Sequence, residues 1–98
     1  MRAQMEALRQ ELANTPAALI VANHAFGLFE LAAVHLSEQP PHLEDARLAI
    51  DGLTALVENL KGRLGESEGQ LAEGLAQLRL AFVQISAAAK AGPADAPA

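Results

Sequence analysis

Two apolar stripes at helical spacing, separated by a short glycine-containing turn, constrain the fold of this chain more than any other feature. Both stripes step by alternating threes and fours, which places their members on one face of an α-helix. The first contains Leu43, Ala46, Ile50, Leu53, Val57, Leu60 and Leu64, and the second contains Leu71, Leu75, Leu78, Phe82, Ile85 and Ala89. With a turn at residues 65–67, the pattern predicts an antiparallel hairpin of helices at about residues 43–64 and 67–89.

The hairpin also predicts which residues of its two helices lie opposite each other. Residues at equal distance from the turn face one another, so Leu53 lies opposite Leu78. In this register Asp51 is near the level of Arg79, which favours an ion pair between the helices. A local alternative stays open, because Arg47 precedes Asp51 by four residues and can pair with it on the helix surface.

Two further helices are predicted before the hairpin, so the fold class is all-α. A short N-terminal helix ends near Asn14, and an apolar helix runs from Pro16 to about residue 37, with Thr15 as its N-cap. The prolines at residues 40 and 41 end this helix, since proline has no N–H and restricts the residue before it. At the second turn, Ser67 followed by Gln70 has the spacing of a capping box.

The apolar helix at residues 16–37 predicts self-association. Its strongly polar residues, Asn23, His24, Glu30 and His35, fall within one sector about 140° wide, and nearly all the rest is apolar. A chain of 98 residues that is 51% hydrophobic buries only about 60–65% of its unfolded surface, so part of the apolar surface needs another cover. We expect a homodimer whose interface contains Leu19, Ala22, Phe26, Phe29, Ala33 and Leu36.

A membrane is a weaker explanation for the apolar helix. The segment is long enough to span a bilayer, but Asn23, His24 and Glu30 would lie near its middle, where polar groups are costly. Composition argues against nucleic acid, since the formal net charge is −5 and the chain has no Trp or Tyr. The chain has no Cys and its start does not resemble a signal peptide, which favours the cytoplasm.

No group of residues in the sequence indicates catalysis or a cofactor. His24 and His35 share a helix face, but eleven residues separate them by about 16 Å, which is too far for one metal ion. We therefore assign no catalytic, cofactor-binding or metal-ligating residue, and we expect a non-enzymatic interaction module that binds a protein partner. The alternative function is a small metal- or ligand-binding sensor with a site across a subunit interface, built from His24, Glu30, His35 or His42.

The chain is predicted to form a single helical domain at residues 1–89, followed by a tail. The last nine residues, KAGPADAPA, are small and rich in Ala and Pro. A segment of this composition buries too little apolar surface to order itself. We expect residues 90–98 to be disordered.

Several runs of this sequence resemble a family of small bacterial proteins, the domain of unknown function 1844. The runs are AVHLSEQP, LEDARLAIDGLTALVENLKGRLGESEGQL and LAQLRLAFVQI, and the segment ELANTPAALIVANHAF is similar to the form found in actinobacteria. The firmest matches are Leu36, Ala46, Ile50, Asp51, Leu53, Leu56, Gly62, Leu64, Leu78, Arg79 and Phe82, within about residues 12–85. Ser37 departs from the pattern, since the family usually has Gly there.

This resemblance implies a cytoplasmic all-helical protein and brings no activity or catalytic residues. The actinobacterial genes of the family tend to neighbour the gene of a translation initiation factor. The resemblance thus suggests a role accessory to translation.

Overall fold

All regular secondary structure in the part of the chain that the structure describes, residues 1–90 of a computed structural model, is helical. The α-helices span Arg2–Asn14 (α1), Ala17–Ser37 (α2), Leu43–Asn59 (α3) and Glu68–Lys90 (α4), and a 3-10 turn spans Gly65–Ser67. The predicted all-α class is confirmed. Residues 91–98 of the predicted tail lie outside the described residues, and Lys90 ends α4 instead of beginning the tail.

The most extensive contact between helices is that of α2 with α3, which are joined by residues 38–42. Small side chains are buried on both helices. Ala22, Ala25 and Ala32 of α2 are at most 1% exposed, and Ala46 and Ala49 of α3 are at most 3% exposed. Alanine lets two helix backbones approach closely, since no long side chain separates them.

The leucine-rich stripes supply the remaining core, as the hairpin prediction requires. Helices α3 and α4 pack on each other and both pack on α2, so three helices share one hydrophobic cluster. Its larger buried members are Leu36, Ile50, Leu53, Val57, Leu64, Leu71, Leu75 and Leu78. Fully burying a side chain of this size stabilises the fold by roughly 1.5–3 kcal/mol relative to exposure.

Helix α3 ends earlier than the sequence predicted, at Asn59 instead of Leu64. The reason is the backbone of Gly62 and Gly65, which have φ angles of 81° and 75°, a left-handed conformation that glycine adopts without steric cost. The chain therefore leaves the helix before Gly62. Leu64 still packs into the core, at 2% exposure, from a non-helical position.

The carboxylate of Glu68 holds this turn together. Its Oε2 accepts a hydrogen bond from the Gly62 amide at 2.7 Å, and its Oε1 accepts one from the Leu64 amide at 3.0 Å. These bonds satisfy amides that left the helical ladder. The predicted capping box at Ser67 is wrong, since Ser67 lies inside the 3-10 turn and the acceptor is Glu68.

Thr15 does not cap α2, contrary to the sequence prediction. Its hydroxyl donates to the carbonyl of Glu11 at 2.7 Å, and its amide donates to the carbonyl of Leu12. Thr15 thus closes the end of α1, because its short side chain reaches back to a free carbonyl of the last turn. Pro16 occupies the cap position of α2, without a side-chain hydrogen bond.

Replacing Glu68 by glutamine is expected to lower stability in a pH-dependent way. The hydrogen bonds from the Gly62 and Leu64 amides hold the pKa of Glu68 below its ordinary value. A lowered pKa in the folded state means that the stabilisation is present above the pKa of the unfolded chain and disappears as the pH falls through the folded pKa. Thermal unfolding should show a lower Tm for Glu68→Gln at neutral pH.

The difference between the wild type and Glu68→Gln should vanish in acid, below the folded pKa of Glu68. Glu66→Gln is the matched control, since it removes an exposed carboxylate two residues away that receives no side-chain hydrogen bond within residues 1–90. A Tm difference for Glu68→Gln that stays constant across the acid range would show that the carboxylate charge does not hold the turn.

Candidate functional site

The six residues predicted for an oligomer interface do not form one surface in the structure. Ala22 and Leu36 are 1% and 6% exposed, inside the chain's own core, so their assignment to an interface was wrong. Phe26, Phe29 and Ala33 are half-buried against that core. Leu19 is the one member of the six that is exposed, at 51%. Ala22, Ala25 and Ala32 of α2 thus belong to the core that α2, α3 and α4 share.

Phe26 and Phe29 instead line a groove between α2 and α4. The groove has a volume of about 470 Å³, and Leu71 also contributes to its apolar floor. The exposed side chains of Glu30 and Glu73 lie along the same groove. An apolar floor with carboxylates beside it suits a helix that carries an apolar stripe next to basic residues.

Gly74 lets the Phe29 ring lie against α4. A Cβ atom on Gly74 would lie 2.7 Å from Cε2 of Phe29 and 3.1 Å from Cδ2. The first distance is too short for two carbon atoms. The floor of the groove therefore depends on the absence of a side chain at residue 74, which glycine provides.

Helix α1 is the least buried of the four α-helices in residues 1–90. None of its 13 residues is buried. Met1, Met5, Leu8 and Leu12 follow one another at steps of four, three and four, and they are 93%, 65%, 57% and 52% exposed. This spacing makes one continuous apolar stripe along the helix.

Helix α2 is long and apolar enough to cross a membrane by length and composition. Its most apolar window has a mean hydropathy of 1.7, and 17% of that window is buried inside the chain. Core helices of soluble proteins meet the same criteria. Asn23, His24 and Glu30 are exposed near the middle of α2, where a bilayer would surround them at high cost.

Arg79 pairs with Glu58 in the structure, and the predicted ion pair with Asp51 was wrong. The Nη2 atom of Arg79 lies 3.2 Å from the Glu58 carboxylate and 3.1 Å from the Thr54 hydroxyl. Helical side chains lean toward their own N-terminus. Arg79 therefore leans toward the turn and Glu58 leans back to meet it, whereas Asp51 leans away. Asp51 and Arg79 still line one shallow cleft between α3 and α4.

The structure places two histidines in contact that the sequence analysis did not pair with each other. Nδ1 of His35 lies 3.0 Å from Nδ1 of His42. One ligand atom each from His35, His42 and Asp45 lie within 4.8 Å of one another. His24 and Glu30, which were candidates for the same site, do not belong to this group. Glu30 lines the groove instead.

The connection between α2 and α3 brings the two histidines together. His35 lies in the last turn of α2, and His42 is the N-cap residue of α3. Seven residues in one helix would separate the two by about 10 Å, but the chain reverses direction here. The amide of His42 donates to the carbonyl of His35 at 2.9 Å, which brings the two backbones together.

Compared with protein-family models, with curated proteins and with solved structures, the chain matches none. The resemblance to the domain of unknown function 1844 therefore stays a prediction.

The substitution Gly74→Ala is expected to disturb the groove and to lower the free energy of unfolding by about 1 kcal/mol. Moving the Phe29 ring costs about 1–3 kcal/mol, and the gain in helix propensity returns about 1 kcal/mol. Chemical denaturation measures the change. Gly27→Ala is the matched control, because nothing lies within 4 Å of its Cβ position in the middle of α2.

We expect Gly27→Ala to raise the free energy of unfolding by about 0.5–1 kcal/mol through helix propensity alone. If Gly74→Ala stabilises the protein as much as Gly27→Ala does, the Phe29 ring does not require the space at Gly74.

Proposed function

We propose that this protein is a non-enzymatic, homo-oligomerising interaction module in which α1 of one chain binds a second copy. The observation that supports it best is the stripe of Met1, Met5, Leu8 and Leu12, which is exposed along a helix without a buried residue. This replaces the interface predicted from the sequence with one built on α1.

An isolated helix of this length is barely stable in water. Helices shorter than about 12–15 residues are marginal even in alanine-rich peptides, because nucleation is costly. Helix α1 has 13 residues. Burying a Met or Leu side chain contributes roughly 1.5–3 kcal/mol. A partner surface over the stripe therefore supplies the stabilisation that α1 lacks within its own chain.

The groove between α2 and α4 is the surface on a second copy that fits this stripe. At 100° per residue, the four residues of the stripe fall within about 60° of each other, and Arg2 and Arg9 border them on one side, with Arg9 in an ion pair with Glu6 of the same helix. The groove offers Phe26, Phe29 and Leu71, with Glu30 and Glu73 beside them. Basic residues beside an apolar stripe complement acidic residues beside an apolar floor.

A twofold axis lets each chain give and receive one α1. Both surfaces are present on every copy, so an arrangement in which two chains exchange α1 about a twofold axis closes as a dimer. Two equal contacts double the buried area, which favours reaching the roughly 1,200–2,000 Å² of a stable interface. A role accessory to translation, suggested by the family resemblance, would place this dimer as a binding partner of a protein in that process.

The test is the molar mass of the purified protein at micromolar concentration, measured by light scattering after size exclusion, with a dilution series for the dissociation constant. The double substitution Met5→Glu with Leu8→Glu puts two charges into the stripe. Burying unpaired charges is costly, so we expect the dimer to weaken by roughly 100-fold or more.

The matched control is Ala3→Glu with Ala7→Glu, which adds the same charge to the opposite face of α1, where both alanines are exposed. It should leave the dimer intact. Replacing Glu30 and Glu73 by lysine should weaken it from the groove side. A wild-type protein that stays monomeric, or a control that dissociates as readily as the stripe variant, would refute the proposal.

A further inference from the structure

We propose that His35, His42 and Asp45 form a binding site for a divalent transition-metal ion such as Zn²⁺. The ligands are Nδ1 of each histidine and one carboxylate oxygen of Asp45. The two Nδ1 atoms are 3.0 Å apart, and one ligand atom from each of the three residues lies within 4.8 Å of the others. Water or another ligand would complete the coordination. This site is separate from the surfaces that the proposed dimer uses.

The separation of the two nitrogens matches what one ion requires. Zinc binds histidine nitrogen at about 2.0–2.1 Å. Two such bonds place their nitrogens about 2.9 Å apart at a right angle and about 3.3 Å apart at a tetrahedral angle. The observed 3.0 Å lies between these limits. The Asp45 side chain is exposed, so its carboxylate can rotate to complete the set.

A hydrogen bond between the two rings has the same nitrogen–nitrogen distance and is the state of the site without metal. It requires one ring to carry its proton on Nδ1 and the other to accept there. A metal ion needs the lone pair of both Nδ1 atoms, so the bridging proton leaves and both rings carry their proton on Nε2. The hydrogen bond explains the histidine pair, and Asp45 also favours the positive end of α3 from its first turn.

The backbone around the site is held in place while the ligand side chains stay accessible. Leu36 follows His35 and Ala46 follows Asp45, and both neighbours are buried, at 6% and 0% exposure. The amide of His42 donates to the carbonyl of His35 at 2.9 Å across the connection. Ligands on anchored backbone lose little freedom on binding an ion, which favours affinity.

The type of ligand selects the class of ion. Imidazole suits Zn²⁺, Cu²⁺, Ni²⁺ and Co²⁺, whereas Mg²⁺ and Ca²⁺ prefer oxygen ligands. Asp45 lies in the first turn of α3, three residues after His42, and therefore on the same side of that helix. The ion would link the end of α2 to the beginning of α3. Because it binds the folded chain, it should also raise the Tm.

The experiment is a titration of the full chain with Zn²⁺ alone, after chelator treatment and dialysis, followed by calorimetry and thermal unfolding. We expect one ion per chain and a higher Tm with zinc. His35→Ala and His42→Ala should each weaken binding by roughly 100-fold or more, since the loss of an outer-shell partner alone costs about 10–100-fold. Asp45→Asn should weaken it by about tenfold.

Two control variants make similar substitutions at residues outside the proposed site. His24→Ala removes the exposed third histidine of the chain, on α2, and Glu44→Gln removes a carboxylate next to Asp45 in the same helical turn. Both should bind zinc like the wild type. Circular dichroism should show unchanged helix content in all variants, because the substituted side chains are exposed or half-buried.

Nitrogen NMR of the histidine rings identifies the coordinating atom. Zinc should shift the Nδ1 signals of His35 and His42 and leave His24 unchanged. Three results would overturn the proposal: wild-type affinity no higher than that of the His35→Ala, His42→Ala double variant, an equal loss of affinity in His24→Ala, or coordination through Nε2.

Discussion

The close approach of α2 and α3 through alanine side chains is the contact on which the rest of the structure depends. Ala25 and Ala32 of α2 and Ala46 of α3 are 0% exposed, and the contact of α2 with α3 is the most extensive one between helices. Short buried side chains allow two helix axes to approach toward the lower end of the usual range of about 8–10 Å. The larger leucines of α3 and α4 pack beside this contact and complete the core that they share with α2.

This contact explains why the sequence predicted the helices better than it predicted which surfaces bury them. The spacing of apolar residues showed which face of α2 must leave water, but not what covers it. Ala22 and Leu36 were assigned to a second chain because the apolar helix has more apolar surface than the hairpin of one chain was expected to cover. In the structure α3 divides its surface between α2 and α4. Periodicity records the burial of a residue and not the identity of its neighbour.

Helix ends and polar contacts were harder to predict than the core for a related reason. Gly62 lies within the helix predicted at about residues 43–64, yet its φ angle of 81° ends α3 before it. Arg79 was matched with the carboxylate at its own level, Asp51, whereas the lean of its side chain leads it to Glu58. His35 and His42 meet because of a chain reversal that no helical period describes. Each of these depends on three-dimensional direction, which residue spacing does not encode.

The two proposed interactions act on parts of the chain with different local stability. Helix α1 has no buried residue, so little free energy is needed to unfold it locally. Its stability as a helix depends on the surface that packs against it. The histidine site joins α2 to α3, whose backbones flank the most buried contact of the fold. Binding at α1 would therefore order a labile element, at an entropic cost that reduces affinity, whereas an ion at His35 and His42 would meet ligands already in place. Assembly would thus respond to protein concentration, and metal binding would respond to the ion alone.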